Sequence, residues 1–144
     1  MLGILIAIIS GSLMSIQGVF NTGVTKQTGI WIAASFVQLS ALLVCLGAWV
    51  YTGREGNFAS LFKIDSKYML LGGVIGAFIT YTVIKSIDVL GPCRANMFII
   101  TAQLIIAYLI ELMGMFGTDK VPFEWRKLVG VVLVLAGIVT FKWN

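Results

Sequence analysis

The sequence predicts an all-α integral membrane fold of five transmembrane helices, and three observations predict it. Hydrophobic residues make up 59% of the chain and charged residues only 11%, whereas a soluble domain carries about a quarter charged residues. The mean hydropathy is strongly positive. The apolar residues also gather into runs of about 20, the length a helix needs to cross a hydrocarbon core of about 30 Å.

The first run extends from about Leu2 to Phe20. Its opening, MLGILIAIISG, has no positive residue before the apolar core and no A-x-A-like site after it. It is therefore expected to be a retained span and not a cleaved signal peptide. The second run covers about Ile30 to Tyr51, the third about Tyr68 to Ile84, the fourth about Ala95 to Phe116 and the fifth about Leu128 to Phe141. Polar connections separate them: NTGVTKQTG, TGREGNFASLFKIDSK, KSIDVLGPCR and GTDKVPFEWRK. Pro92 and Pro122 fall where helices should begin, a position that tolerates proline. Trp31, Trp49, Tyr51, Tyr68, Trp125 and Trp143 collect at the span ends, as an aromatic belt does at the headgroup level. No connection is long enough to form a soluble domain, so residues 1–144 read as a single five-helix membrane domain.

The net charge of +4 does not point to nucleic acid, because the basic residues are scattered singly between apolar runs, as membrane-edge anchors are. Arg54, Lys63, Lys67, Lys120, Arg126 and Lys127 lie on the side of the N-terminus; Lys26, Lys85, Arg94 and Lys142 lie on the other. Orientation follows the Lys/Arg imbalance, and this one is small. The expectation is a chain able to insert both ways round and to pair antiparallel with a second copy or a related five-helix chain. Lys85, Asp88 and Arg94 are expected to form an exposed turn with a local ion pair.

Small residues mark the faces on which helices pack in lipid, where burial of apolar surface gives no driving force. Gly11, Ser15, Gly18 and Thr22 form one smooth face of the first span. Gly72, Gly76 and Thr80 follow at i, i+4, i+8 in the third, and Gly130 and Gly137 are seven apart in the fifth. These glycines are expected at helix contacts.

A polar stripe runs beside them. Ser10, Gln17 and Asn21 share one helical face at i, i+7, i+11. Asn96 and Gln103 are seven apart in the fourth span, with Glu111 about 80° away on the same side. Gln38 and Ser35 lie in the second span and Tyr81 in the third. Interhelical hydrogen bonds would account for any one of these residues. Taken together, they must all find partners, and a shared hydrated path satisfies them with less geometric coincidence. Glu111 is the acid placed within a span, where an ionised carboxylate is costly and marks a candidate functional residue. It is expected to act as the proton-coupling group. The chain has no histidine, and Cys45 and Cys93 form no CxxC pair, so neither a metal site nor a cofactor is expected.

The tail WRKLVGVVLVLAGIVTF resembles the last helix of an EamA-like repeat of the drug/metabolite transporter superfamily, with Gly130 and Gly137 at its two glycine positions. SIQGVFNTGV, YMLLGGVIGAFITY and LGPCRANMFIITAQLIIAYLIELMGMFG extend the resemblance to the five-helix YdcZ-like branch. Gln17, Asn21, Gln103 and Glu111 fall where that branch has polar or acidic residues. The sequence departs from the family pattern at Glu111, which is followed by Leu112 and not by histidine. The resemblance implies one EamA-like half of an inner-membrane transporter, completed by an antiparallel dimer around a substrate.

The expected function is therefore alternating-access transport of a small polar or cationic metabolite or drug. Gln17, Asn21, Asn96 and Gln103 would line the path, Ser10, Gln38 and Tyr81 would surround it, and Glu111 would be the ionisable switch. A dual-topology ion channel and a non-transporting subunit of a membrane complex are the alternatives. An enzyme is not expected, because no nucleophile–base pair is evident.

Overall fold

A computed structural model describes residues 1–54 and 56–141 of the chain. Lys142 and Trp143, assigned above to the membrane edge, lie outside the described residues. Five α-helices follow in order: α1 (Leu2–Thr28), α2 (Ile30–Tyr51), α3 (Gly72–Leu90), α4 (Pro92–Met113) and α5 (Trp125–Phe141). Short 3-10 segments, Phe58–Lys63 and Lys67–Leu71, precede α3, and another, Met115–Gly117, follows α4. In hydrocarbon every backbone polar group must be satisfied within the protein, and a helix does this for a single segment. The helices α1, α2 and α4 are each long and apolar enough to cross a membrane, as is Lys67–Leu90, which contains α3.

Two helix ends depart from the sequence expectation for the same reason. The polar stretch after Phe20 does not end α1, which continues for 27 residues in all, about 40 Å at 1.5 Å per residue. Two of its three hydroxyls bond back to their own helix: Thr22 donates to the Gly18 carbonyl at 2.8 Å and Thr28 to the Val24 carbonyl at 2.9 Å. Polarity alone is therefore no break. The break is Gly29, at φ 91° and ψ 153°, a region open essentially to glycine alone. Its N–H still bonds to the Thr25 carbonyl, and its own carbonyl accepts from Ala33 N–H. The KSIDVL stretch likewise stays helical until Gly91, at φ 78° and ψ 160°, with Pro92 opening α4. Single glycines thus stand where polar loops were expected.

The chain divides into two compact units, Met1–Val89 and Leu90–Asn144. In the first, Gly18 of α1 meets Ile87 and Val83 of α3. A β-carbon built at Gly18 would lie 2.6 Å from Ile87 Cδ1 and 3.5 Å from Val83 Cγ1. Ala33, Ala34, Ile84 and Ile87 are buried there. Gln38 of α2 donates to Thr80 Oγ1 of α3 at 3.2 Å, and Trp31 stacks on Tyr81 with ring centroids 5.0 Å apart. Lys26 pairs with Asp88 at 3.9 Å. Asp88 thus reaches across to α1, where a pairing within its own turn was expected. After α2, Arg54 lies 6.0 Å over the Trp49 ring, and Phe58 packs edge-on against the same ring at 5.0 Å.

In the second unit α4 ends at Gly114, which is left-handed at φ 62°. The Glu111 carbonyl then accepts from both Gly114 N–H and Val121 N–H, at 3.3 and 3.0 Å. Tyr108 Oη accepts from Glu124 N–H at 3.1 Å, tying the segment before α5 to α4. Most large apolar side chains of both units are exposed, as expected where lipid tails are the solvent.

Candidate functional site

The first-unit site is a crevice of about 560 Å³ between α1 and α2. Gln17, Phe20, Asn21 and Val24 form the α1 wall; Ala33, Phe36, Val37, Ser40, Ala41, Val44 and Cys45 form the α2 wall. Gln17 and Asn21 are one turn apart, so both amides reach the same groove. A shallower groove of about 340 Å³, lined by Leu13, Met14, Ile16 and Phe20, adjoins the same two amides. Asn21 is buried and Gln17 is open.

Four hydroxyls of α1 differ from these amides in one respect. Ser12, Ser15, Thr22 and Thr28 donate to the carbonyl four residues back. An Asn or Gln amide carries two N–H donors and an acceptor oxygen. Among the described residues, no side-chain hydrogen bond holds Gln17 or Asn21. Thr25 Oγ1, one turn further on, is buried without a partner. The crevice wall also holds Ser40, whose hydroxyl donates to the Val37 carbonyl at 2.9 Å, and is largely apolar elsewhere, so the two amides are its groups with unused hydrogen-bonding capacity.

The other sequence-predicted residues are distributed differently. Gln38 and Tyr81 are engaged by Thr80 and Trp31 at the α2–α3 contact, and Ser10 is exposed further along α1. Asn96, half-buried and engaged, and Gln103, exposed, lie on α4. Of the glycines expected at helix contacts, Gly18 is tightly packed, and a β-carbon built at Gly76 would lie 4.0 Å from Gln38 Nε2. A β-carbon at Gly11, Gly72, Gly130 or Gly137 would meet nothing within 4 Å. Among the described residues, nothing of their own unit fills those four faces.

Glu111 lies in the last turn of α4, where a negative charge opposes the helix dipole. Lys127 of α5 offsets it: its Nζ is 3.8 Å from Glu111 Oε2 and 4.0 Å from Glu124 Oε1. The same ammonium stands 5.5 Å over the Tyr108 ring. A second cavity of about 410 Å³ opens beside this group. Sequence reasoning counted Lys127 only as an edge charge, and missed Ser40, Cys45 and Tyr108. The signals were present: Ala33, Val37, Ser40, Ala41 and Val44 follow helical spacing, and Tyr108 precedes Glu111 by one turn.

A family model described as "Putative inner membrane exporter, YdcZ" matches residues 2–140, nearly the whole chain. No curated protein and no solved structure matches it.

Proposed function

The chain belongs to the YdcZ family, a transporter family of the inner membrane, and on that premise we propose that it is a half-transporter. It carries a small polar or cationic metabolite or drug by alternating access. The observation that supports this reading best is the pair of amides, Gln17 and Asn21, facing a largely apolar crevice with no side-chain hydrogen-bond partner among the described residues. Water satisfies them when the crevice is empty, and a solute with matching donors and acceptors replaces that water. Because unpaired buried polar groups are costly, the amides select for a solute that can pair with them. Asn96 and Gln103 serve the same transport function from α4, and Glu111 is its ionisable switch.

A second five-helix chain, inserted the opposite way round, completes the transporter. The near balance of Lys and Arg on the two sides supports this, as do the open faces at Gly11, Gly72, Gly130 and Gly137. Small residues in a membrane helix let another backbone approach closely, and among the described residues of their own unit these four have no such neighbour. Inverted pairs of helical repeats with a site near the midplane are a general transporter design.

The test is the reaction of a cysteine at position 17 with a charged, membrane-impermeant thiol reagent. It is made in a background with Cys45 and Cys93 replaced by serine. A cysteine at the exposed Ser60 serves as the positive control. Gln17→Cys reacts at a rate within about tenfold of Ser60→Cys if the crevice is hydrated. Lack of reaction at position 17 alone rejects the transport path. Glu111→Gln removes the pH dependence of transport, and retained proton coupling in that variant rejects the switch.

A further inference from the structure

The group around Lys127 has the composition of a cation site already occupied by a tethered cation. One ammonium faces two carboxylates and an aromatic ring, so the cage retains a net negative charge once Lys127 is counted. The distances matter more than the list. At 3.8 and 4.0 Å neither carboxylate is within the roughly 2.7–3.2 Å of an N–H···O hydrogen bond. A primary ammonium gains most from short, directed bonds, and here it makes none to these acids. A cation surrounded by carbon, with no N–H to direct, fits the same spacing without that loss. Aromatic faces recognise quaternary ammonium groups in this way.

The cavity supplies room for the remainder of such a ligand. Beyond Tyr108, Glu111 and Lys127, its walls are Leu104, Ala107, Gly130, Val131 and Val134, all without charge. The absence of a side chain at Gly130, where a β-carbon would meet nothing within 4 Å, widens the floor. Lys127 is itself about one-third exposed, at 37%, so its chain can swing outward. Phe123 and the exposed Trp125, with ring centroids 5.9 Å apart, precede it in sequence and suit the headgroup level.

We propose that the α4–α5 cavity binds a monovalent organic cation with an apolar body, and that Lys127 is a built-in competitor which the ligand displaces. The site is made wholly from the second unit. It shares Glu111 with the transport reading and does not depend on the α1–α2 crevice.

Calorimetric titration of the purified full-length protein with benzyltrimethylammonium, and separately with tetramethylammonium, tests this. Lys127→Gln binds both cations severalfold more tightly than the parent, and Glu111→Gln binds both more weakly. Gly130→Val alters no charge but fills the cavity, so it weakens benzyltrimethylammonium and spares tetramethylammonium. Unchanged or weaker affinity in Lys127→Gln overturns the proposal, as does an equal effect of Gly130→Val on both probes. Loss of a co-purifying anionic lipid from Lys127→Gln, with cation affinity unaltered, overturns it in favour of a headgroup anchor. Thiol labelling at position 17 reports on the other unit, so failure of the crevice and failure of this site are distinguishable.

Discussion

Replacing Gly18 by alanine tests how α1 is held against α3, and with it the placement of Gln17. A β-carbon at this position falls 2.6 Å from Ile87 Cδ1, whereas carbon atoms rest at about 3.5–4.0 Å. About 1 Å must be recovered. Ile87 is only 5% exposed, so its terminal methyl has little space in which to turn aside. Overpacking of this kind costs about 1–3 kcal/mol, against a gain of about 1 kcal/mol from replacing a helical glycine by alanine. The net expectation is a loss of up to about 2 kcal/mol. Ile87→Val removes the obstructing methyl at its own cost of about 0.5–1.5 kcal/mol. In the double variant the clash is gone and the helix gain is recovered. Denaturant unfolding of the four proteins in one detergent should therefore yield a favourable coupling of about 1–3 kcal/mol, within the range found for residues in contact. Additivity within about 0.5 kcal/mol would refute the α1–α3 contact as described.

Three further outcomes follow from other contacts. Thr80→Val removes the acceptor for Gln38 and should cost about 1 kcal/mol or less in the same unfolding assay, as interhelical hydrogen bonds in membranes do; pairing it with Gln38→Leu should add little. Gly29→Ala meets no steric obstacle, so any destabilisation, about 1–3 kcal/mol, comes from the backbone alone, and unaltered stability would show that the α1–α2 link differs from φ 91°. Tyr108→Phe leaves Glu124 N–H without its partner, at a cost of about 1 kcal/mol, and amide exchange at Glu124 should accelerate while that at Thr101 is unaffected.

The helical extent of α2 was legible because Gly29 and the Thr52–Gly53 pair bracket a largely apolar run. The end of α1 was not. NTGVTKQT contains nothing that forbids a helix, and two of its three hydroxyls, those of Thr22 and Thr28, are satisfied on the preceding turn. The Gln17–Asn21 stripe could be read directly, since helical periodicity depends only on spacing. What Gln38 and Tyr81 touch could not, because that depends on which helices are neighbours. Glycine spacing marked six positions for contact, and among the described residues Gly18 is the tightly packed one of the six: small residues permit approach without naming the partner. Lys127 was hidden by its sequence position, in a connection where positive charge already had a sufficient explanation.

The one-residue tether at Gly29 has a consequence for how the crevice comes into being. Its walls come from two consecutive helices, with Gln17 and Cys45 as their first and last members, and closing so short a loop costs little chain entropy. The groove can thus assemble from this hairpin alone, with no wall residue from α3. The third helix then meets a groove whose two walls, and whose amides, are already in place.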